Sequence, residues 1–574
     1  MKRWIALSVI VLLGVTAIVV SERRKVDANA SASALLYLIA DTEQELTRMP
    51  VSFTKMSDEE EIGIGNTLAQ AYDSQREGKK DPEVVEIENY LTQVGSHLAP
   101  HAHRKLPYKF HYIPDDGFIN AFALPGGHVY VGSGLLAMMD SEDELAAVIG
   151  HEIEHIDHYH CAERTQQERA IHKIPLGELL GLPIELFEAG YSKDQELEAD
   201  REGTRLAVES GYSATGAIRM FETFQRLYDE YQARSKTPQD ELSRVMTETL
   251  EGYFRSHPMP AERIAQIQKM IASENWQPHA ERDLAIAYFF RTNQAAHALE
   301  AKHFPQAQQL AMRSLEMHPG QAKALKTLAR AQFAQADFAG AAESYRRLLD
   351  LDSSNVVVAG DASAPTLADE FAQALAAADR QTAAEKFRRW MDGVKGYKEE
   401  EAQVPLAGLS LLAGDPALAK SAVSKATSNE GLDWAPDWLG RLGWWYYLAG
   451  DRATALNLLS QAIQLRPGNV ELTTSRAWTQ IEDRKLSDAL ESLQMTYSSG
   501  NIRRDRQMAQ ATVAWLSHQN DDAMRDFEAA MSEQPEWNNP RWVQALYSPL
   551  VAQSVKEMQA ESERRRKLQA TARR

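Results

Sequence analysis

The sequence predicts two folds in series: an α+β domain, mostly helical with a small sheet, and behind it an all-α solenoid of stacked helical pairs. Three observations carry this. Between residues 55 and 275, long stretches of helical periodicity flank short runs that alternate or turn like strands. From residue 288 onward, Ala- and Leu-rich sequence recurs with a fixed period of about 34 residues. At 574 residues and 44% hydrophobic content, the chain has room for several domains with ordinary cores.

The first element stands apart from both folds. Lys2 and Arg3 precede a nearly unbroken apolar run from Trp4 to Val20, followed by Ser21, Glu22, Arg23, Arg24 and Lys25. Residues 1–25 read as an export signal or an uncleaved membrane anchor. The run is longer than a typical signal core and barely long enough to span a bilayer, and Ala28-Asn29-Ala30 offers a late cleavage site. The expected location is outside the cytoplasm, in a bacterial periplasm or on the inner membrane facing it. Basic residues on both flanks leave the orientation open. Residues 26–54 read as a linker.

From residue 55, SDEEEIGIGNTLAQAY and PEVVEIENYLTQVGSHL predict two amphipathic helices separated by a polar loop at Gly78 to Asp81. YKFHYI alternates like a strand, and NAFALPGGHVYVGSGLL predicts two strands around a Pro125-Gly126-Gly127 turn. A strand edge next to the following helix could hold an extended peptide by backbone pairing.

That following helix is DSEDELAAVIGHEIEHIDHYH, Asp140 to His160. Ser141 and Glu144 fit a capping box, and Leu145, Val148, Ile149 and Ile156 recur at helical spacing. His151 and His155 therefore share one face, one turn apart, where two imidazoles can converge on a single ion. Glu152 beside them suits a general base that is not itself a ligand. The competing reading is a charged helix that is merely rich in histidine. On a continuous helix His158 lies about 10 Å along the axis from His151, too far to share the ion. His160 faces elsewhere, so both read as supporting or surface residues, and Cys161 as a packed thiol.

A third protein ligand is sought in YSKDQELEADREGTRLAVESGY, Tyr191 to Tyr212, a second helix stopped by Gly211. Glu196 and Asp200 lie one turn apart on one face, a carboxylate ligand backed by a supporting carboxylate. Spacing alone does not choose Glu196 over Glu198.

Composition excludes other classes. A formal charge of −19 and a pI near 5.4 argue against nucleic-acid binding, which needs clustered Lys and Arg. The single Cys161 rules out an internal disulfide framework and any multi-cysteine metal site.

In the second half, a frame at Pro436 gives Leu442, Gly443, Tyr446, Ala455, Leu459, Ala462 and Pro467, the pattern of a tetratricopeptide repeat. The predicted units are 288–321, 322–355, 436–469, 470–503 and 504–537, with two degenerate units in 356–435. A capping helix and basic tail fill 538–574. Such a stack exposes a concave surface for protein substrates and partner proteins. In the aromatic run Trp444 to Tyr447, Tyr446 falls on a packing position of the repeat.

HEIEH, NAFALPGG, ELEAD and HPMPAERI together resemble motifs of the gluzincin metallopeptidases of the HtpX, CAAX prenyl protease and OMA type. The fusion to tetratricopeptide repeats resembles the BepA-like branch. The resemblance covers about residues 55–270 and implies a zincin-type metallopeptidase domain, within 55–275, that binds one Zn2+ per chain. It implies that His151, His155 and Glu196 bind zinc, that Glu152 is the general base and that Asp200 supports the site. It further implies that His257 and Arg263 lie near the reacting centre, stabilising the oxyanion or taking the metal's open position. The expected function is a zinc endopeptidase for misfolded or misassembled envelope proteins recruited by the repeats, with membrane contact through the N-terminal segment if it stays uncleaved. The alternative is a chaperone or assembly scaffold whose zinc site is structural or latent.

Overall fold

The computed structural model describes residues 56–74, 81–172, 191–234, 260–351, 366–393, 399–426, 435–495 and 505–572. The N-terminal apolar run and His257 lie outside them. Among the described residues no helix is long and apolar enough to cross a membrane. The chain divides into two compact units, Met1–Leu284 and Ala285–Arg574.

The first unit opens with helices α1 (Asp58–Ser74) and α2 (Pro82–Leu98), the latter capped by Asp81, whose side chain accepts from the Glu83 backbone N–H. Strands β1 (Lys109–Ile113), β2 (Ala121–Leu124) and β3 (His128–Gly132) form one sheet in the order β1-β3-β2. β2 and β3 are the antiparallel hairpin that the Pro-Gly-Gly turn predicts, whereas β1 runs parallel to β3, pairing Lys109 with His128 and Ile113 with Gly132. β2 is thus an edge strand. A short turn of helix, α3 (Ser133–Leu136), leads into α4 (Glu142–Asp157). α5 (His160–His172), α6 (Lys193–Glu209), α7 (Thr215–Arg234) and α8 (Pro260–Ser273) complete the unit.

α4 is the central element. Its Ser141–Glu144 capping box is formed in both directions, satisfying two backbone N–H groups at a buried helix start. Leu145, Ile149, Ile153 and Ile156 are fully buried along it, which holds the opposite, histidine-bearing face toward α6. Its far end is fixed by Arg104, which donates to Asp58 at 2.7 Å, to Glu61 and to the Ile156 carbonyl, and stacks over the Tyr159 ring at 3.9 Å. Asp157 accepts from the backbone N–H groups of His103 and Arg104.

The second unit is a ladder of antiparallel helical pairs. In chain order they are α9 (Ala287–Glu300) with α10 (Phe304–Met317), α11 (Ala322–Ala334) with α12 (Phe338–Leu351), and α13 (Leu367–Ala378) with α14 (Ala383–Gly393). Next come α15 (Glu399–Leu412) with α16 (Pro416–Ala426), α17 (Ala435–Ala449) with α18 (Arg452–Leu465), α19 (Val470–Glu482) with α20 (Leu486–Gln494), and α21 (Arg506–Leu516) with α22 (Asn520–Glu533). α23 (Pro540–Leu546) and α24 (Pro549–Ala572) close the array. Alanines on the inward faces, among them Ala295, Ala329, Ala341, Ala455, Ala477, Ala489 and Ala523, are fully buried, because only a small side chain lets paired helices approach this closely. Within the aromatic run, Trp445 and Tyr447 are buried, and the partly covered Trp444 and Tyr446 pack against the same cores, so Tyr446 sits on a packing position of the repeat.

Candidate metal centre

α4 and α6 bring three ligand-type side chains together. His151 Nε2 and His155 Nε2 lie 3.0 Å apart, and the Glu196 carboxylate reaches them at 3.5 and 3.7 Å. All three are buried, and among the described residues they form a cluster able to hold a metal ion. Ligand atoms about 2.0–2.2 Å from a tetrahedral ion lie roughly 3.3–3.6 Å from one another, so the spacing fits.

Each donor is aimed by something behind it. His151 Nδ1 donates to Asp200 Oδ1 at 2.9 Å, which leaves the Nε2 lone pair facing the cluster. Asp200 is gripped in turn by Arg263, whose Nε and Nη2 donate to its two oxygens at 2.6 and 2.5 Å. His155 Nδ1 lies 3.0 Å from His160 Nδ1, and His160 Nε2 lies 3.4 Å from Glu198. With Glu198 taking the His160 Nε2–H, His160 Nδ1 accepts the His155 Nδ1–H, and the His155 lone pair also faces inward. The Tyr191 backbone N–H donates to Glu196 Oε1 at 3.0 Å, and the Tyr191 ring stacks on His155 at 4.0 Å.

His160 differs from its sequence-stated placement. On an unbroken helix it points away, but α4 stops at Asp157, Tyr159 takes a left-handed φ of 64°, and α5 starts at His160. The break swings the imidazole back onto His155. His158 lies 3.2 Å from Glu154, away from the cluster, and Cys161 is fully buried with its thiol 3.2 Å from the Tyr191 hydroxyl.

The electrostatics follow from burial against charge. Burial pushes the Glu152 carboxyl up to about 7, with His151 opposing and Glu196 reinforcing. Burial alone lowers the His151 imidazole, but Asp200 and Glu196 outweigh it and raise it to about 10, so without a cation Nε2 carries a proton toward Glu196, which a bound ion would displace to use the lone pair. Burial alone raises Asp200, and Arg263 with His151 reverses that, keeping it below the usual carboxylate range. Glu152 opens onto a small, mostly apolar cavity shared with Ala121 of β2, Met220, Phe221 and Phe224. Arg263 lies in the same wall, its guanidinium 4.1 Å over the Phe221 ring, with its fork committed to Asp200.

Residues 86–271 match the family model described as Peptidase family M48. The chain carries an M48 peptidase domain. Peptidases of this metallopeptidase family hold a metal, and the His151, His155 and Glu196 cluster falls inside the matched segment. The M48 domain is similar to that of a Vibrio cholerae protein named as a beta-barrel assembly-enhancing protease, 31% identical over 225 residues, 35% of this chain and 43% of the relative. The Escherichia coli beta-barrel assembly-enhancing protease is 28% identical over 200 residues, 31% and 38% of the two chains. The mitochondrial metalloendopeptidase OMA1 of Schizosaccharomyces pombe is 28% identical over 186 residues, 31% and 48% of the two chains. The chain spans less than half the length of each of these relatives.

Proposed function

We propose that this protein is a zinc-dependent endopeptidase that cleaves misfolded or misassembled proteins of the cell envelope. The single observation that carries the reading is the convergence of His151, His155 and Glu196 at 3.0–3.7 Å beside a buried Glu152 that opens onto a cavity. His151, His155 and Glu196 are the ligands, and two imidazoles with one carboxylate suit zinc. When bound, zinc supplies Lewis acidity that polarises a carbonyl and acidifies water.

The chain's own groups do the rest. Glu152 accepts a proton from the attacking water and returns it to the leaving amide nitrogen. Asp200 and Arg263 act by position, locking the His151 ring, and His160 with Glu198 does the same for His155. A peptide lies along edge strand β2, whose first residue shares the Glu152 cavity, and an apolar side chain beside the scissile bond fits between Met220 and Phe224. The repeats recruit unfolded client chains, and the apolar run from Trp4 to Val20 supports export to, or anchoring at, the periplasmic side of the membrane.

Glu152→Gln tests the chemistry. Metal content measured beside casein digestion should stay at one ion per chain while cleavage falls by about 10²–10⁴. Undiminished metal-dependent cleavage removes Glu152 from its role. Full metal with no cleavage in the unmodified protein favours a structural site in a scaffold.

A further inference from the structure

Two of the helices that wall the cavity beside Glu152 are α4, which supplies Ala147 and Val148, and α7, which supplies Met220 and Phe224. At their starts these helices touch. A Cβ on Gly216 of α7 would stand 2.4 Å from the carbonyl carbon of Asp143 in α4, so no side chain fits between them there. One to two turns further along, the same two helices stand far enough apart to hold the cavity. How far they open is therefore set by how their starts are joined.

The join is a strap, residues 281–284, at the end of the first unit. Its backbone pairs with the start of α4: the Glu142 N–H donates to the Arg282 carbonyl at 2.9 Å, and Ser141 and Asp283 form an antiparallel bridge. The Arg282 N–H donates to Asp143 Oδ2 at 2.7 Å, and the other oxygen of Asp143 accepts from the Ser213 N–H, just ahead of α7, at 2.6 Å. Glu281 makes the cross-link direct. Its Oε2 accepts from the hydroxyl of Ser141, the cap of α4, at 2.6 Å and from Arg219 Nη1 at 3.0 Å, and its Oε1 accepts from the Thr215 hydroxyl at 2.7 Å. Thr215 opens α7, and Arg219 follows one turn later. The Glu281 side chain is only 10% exposed, and a carboxylate held this way in a dry place, with one donor on α4 and two on α7, resists separation of the two helices.

We infer that Glu281 is a positioning residue for substrate choice: by clamping the starts of α4 and α7 it keeps the cavity narrow, so that the site takes small aliphatic side chains and turns away aromatic ones. Glu281 is not part of the cavity wall and acts through Ser141, Thr215 and Arg219. The inference rests on the peptidase reading and names what decides which bonds are cut.

The test digests unfolded casein with the full zinc-loaded chain and identifies the cleaved bonds by mass spectrometry. Corrected for abundance, alanine and valine should outnumber phenylalanine, tyrosine and tryptophan on one side of the cut by at least about tenfold. Glu281→Ala should shrink that ratio to about threefold or less. Thr215→Val combined with Arg219→Leu, which frees α7 from the carboxylate and leaves the strap's backbone pairing in place, should shrink it as far, and adding Glu281→Ala should shrink it no further. A variant that is merely less stable cuts every bond more slowly in proportion, so a ratio unchanged in both variants overturns the inference even where activity drops. If Glu281→Ala does not fold, the variant pair on α7 decides alone. A second readout needs neither metal nor turnover: in the metal-free chain, amide hydrogen exchange from Ala217 to Phe224 should quicken in both variants, and unchanged exchange there overturns the clamp. Casein cut by the unmodified protein without bias also overturns the inference and leaves the peptidase reading standing. If the unmodified, zinc-loaded protein cuts nothing, the peptidase reading falls and the inference with it.

Discussion

His155 and His160 face each other through their Nδ1 atoms at 3.0 Å, although the helix that carries the first ends before the second begins. The contact fixes which nitrogen of His155 is left for a metal, because Glu198 claims the outer nitrogen of His160. His160→Ala should therefore weaken metal affinity by about 10–100-fold, and His160→Gln, whose amide oxygen can still accept the His155 N–H, should recover part of it. Competition against a chromophoric chelator measures this. Unaltered affinity in His160→Ala would reduce His160 to a packing residue.

Arg263 and Asp200 form a two-pronged ion pair in which both partners are almost wholly buried. Removing the guanidinium strands a carboxylate in a low-dielectric interior, the costly half of a buried pair. Arg263→Leu should destabilise the first unit by about 3–5 kcal/mol in urea unfolding, and adding Asp200→Asn should restore a good part of that. If the double variant is no more stable than the single one, the loss comes from the stacking on Phe221 rather than from the stranded charge.

Local periodicity made the two site helices legible, since the Ser141–Glu144 capping box and the one-turn spacings His151–His155 and Glu196–Asp200 are encoded within a few residues. The hairpin of β2 and β3 is local too, whereas the parallel pairing of β1 with β3 joins segments separated by another strand and leaves no trace in sequence pattern. The turn at Tyr159 was illegible for a different reason: a bulky residue in the left-handed region breaks no composition rule, and it is fixed by Arg104 from across the domain. The choice of Glu196 over Glu198 likewise needed the meeting of α4 and α6, which directs one carboxylate at the histidine pair and the other at His160.

That meeting depends on two glycines that sequence alone reads only as weak helix formers. A Cβ on Gly203 of α6 would stand 2.6 Å from the His151 backbone nitrogen, and one on Gly150 of α4 would stand 2.7 Å from the Gly203 carbonyl oxygen. Both obstacles are backbone, so the helices must part. Gly203→Ala gains about 1 kcal/mol of helix propensity, yet it should lower both melting temperature and metal affinity by drawing Glu196 away from the histidines. Chelator competition beside a thermal melt separates the two effects, and a stabilised variant with full affinity would show that α4 and α6 do not touch here.

Acid sensitivity should arise away from the metal centre, at His128 of β3. The ring is 4% exposed, its Nδ1 lies 3.0 Å from His111 Nε2, and its Nε2 lies 3.1 Å from Asn66 Oδ1. Burial, with the charges of His111 and Lys109, lowers its pKa from 6.5 to about 4; the Asp73 carboxylate lies 3.9 Å from His111. The folded state thus refuses a proton that the unfolded chain accepts. Stability from this group is complete above pH 6.5 and declines as the pH falls from there to about 4, by at most about 3 kcal/mol. His128→Gln keeps a polar group against Asn66 and has nothing to titrate, so its melting temperature should fall less than that of the unmodified protein between pH 7.5 and 4.5. Parallel acid profiles for the two proteins would move the sensitivity to another group.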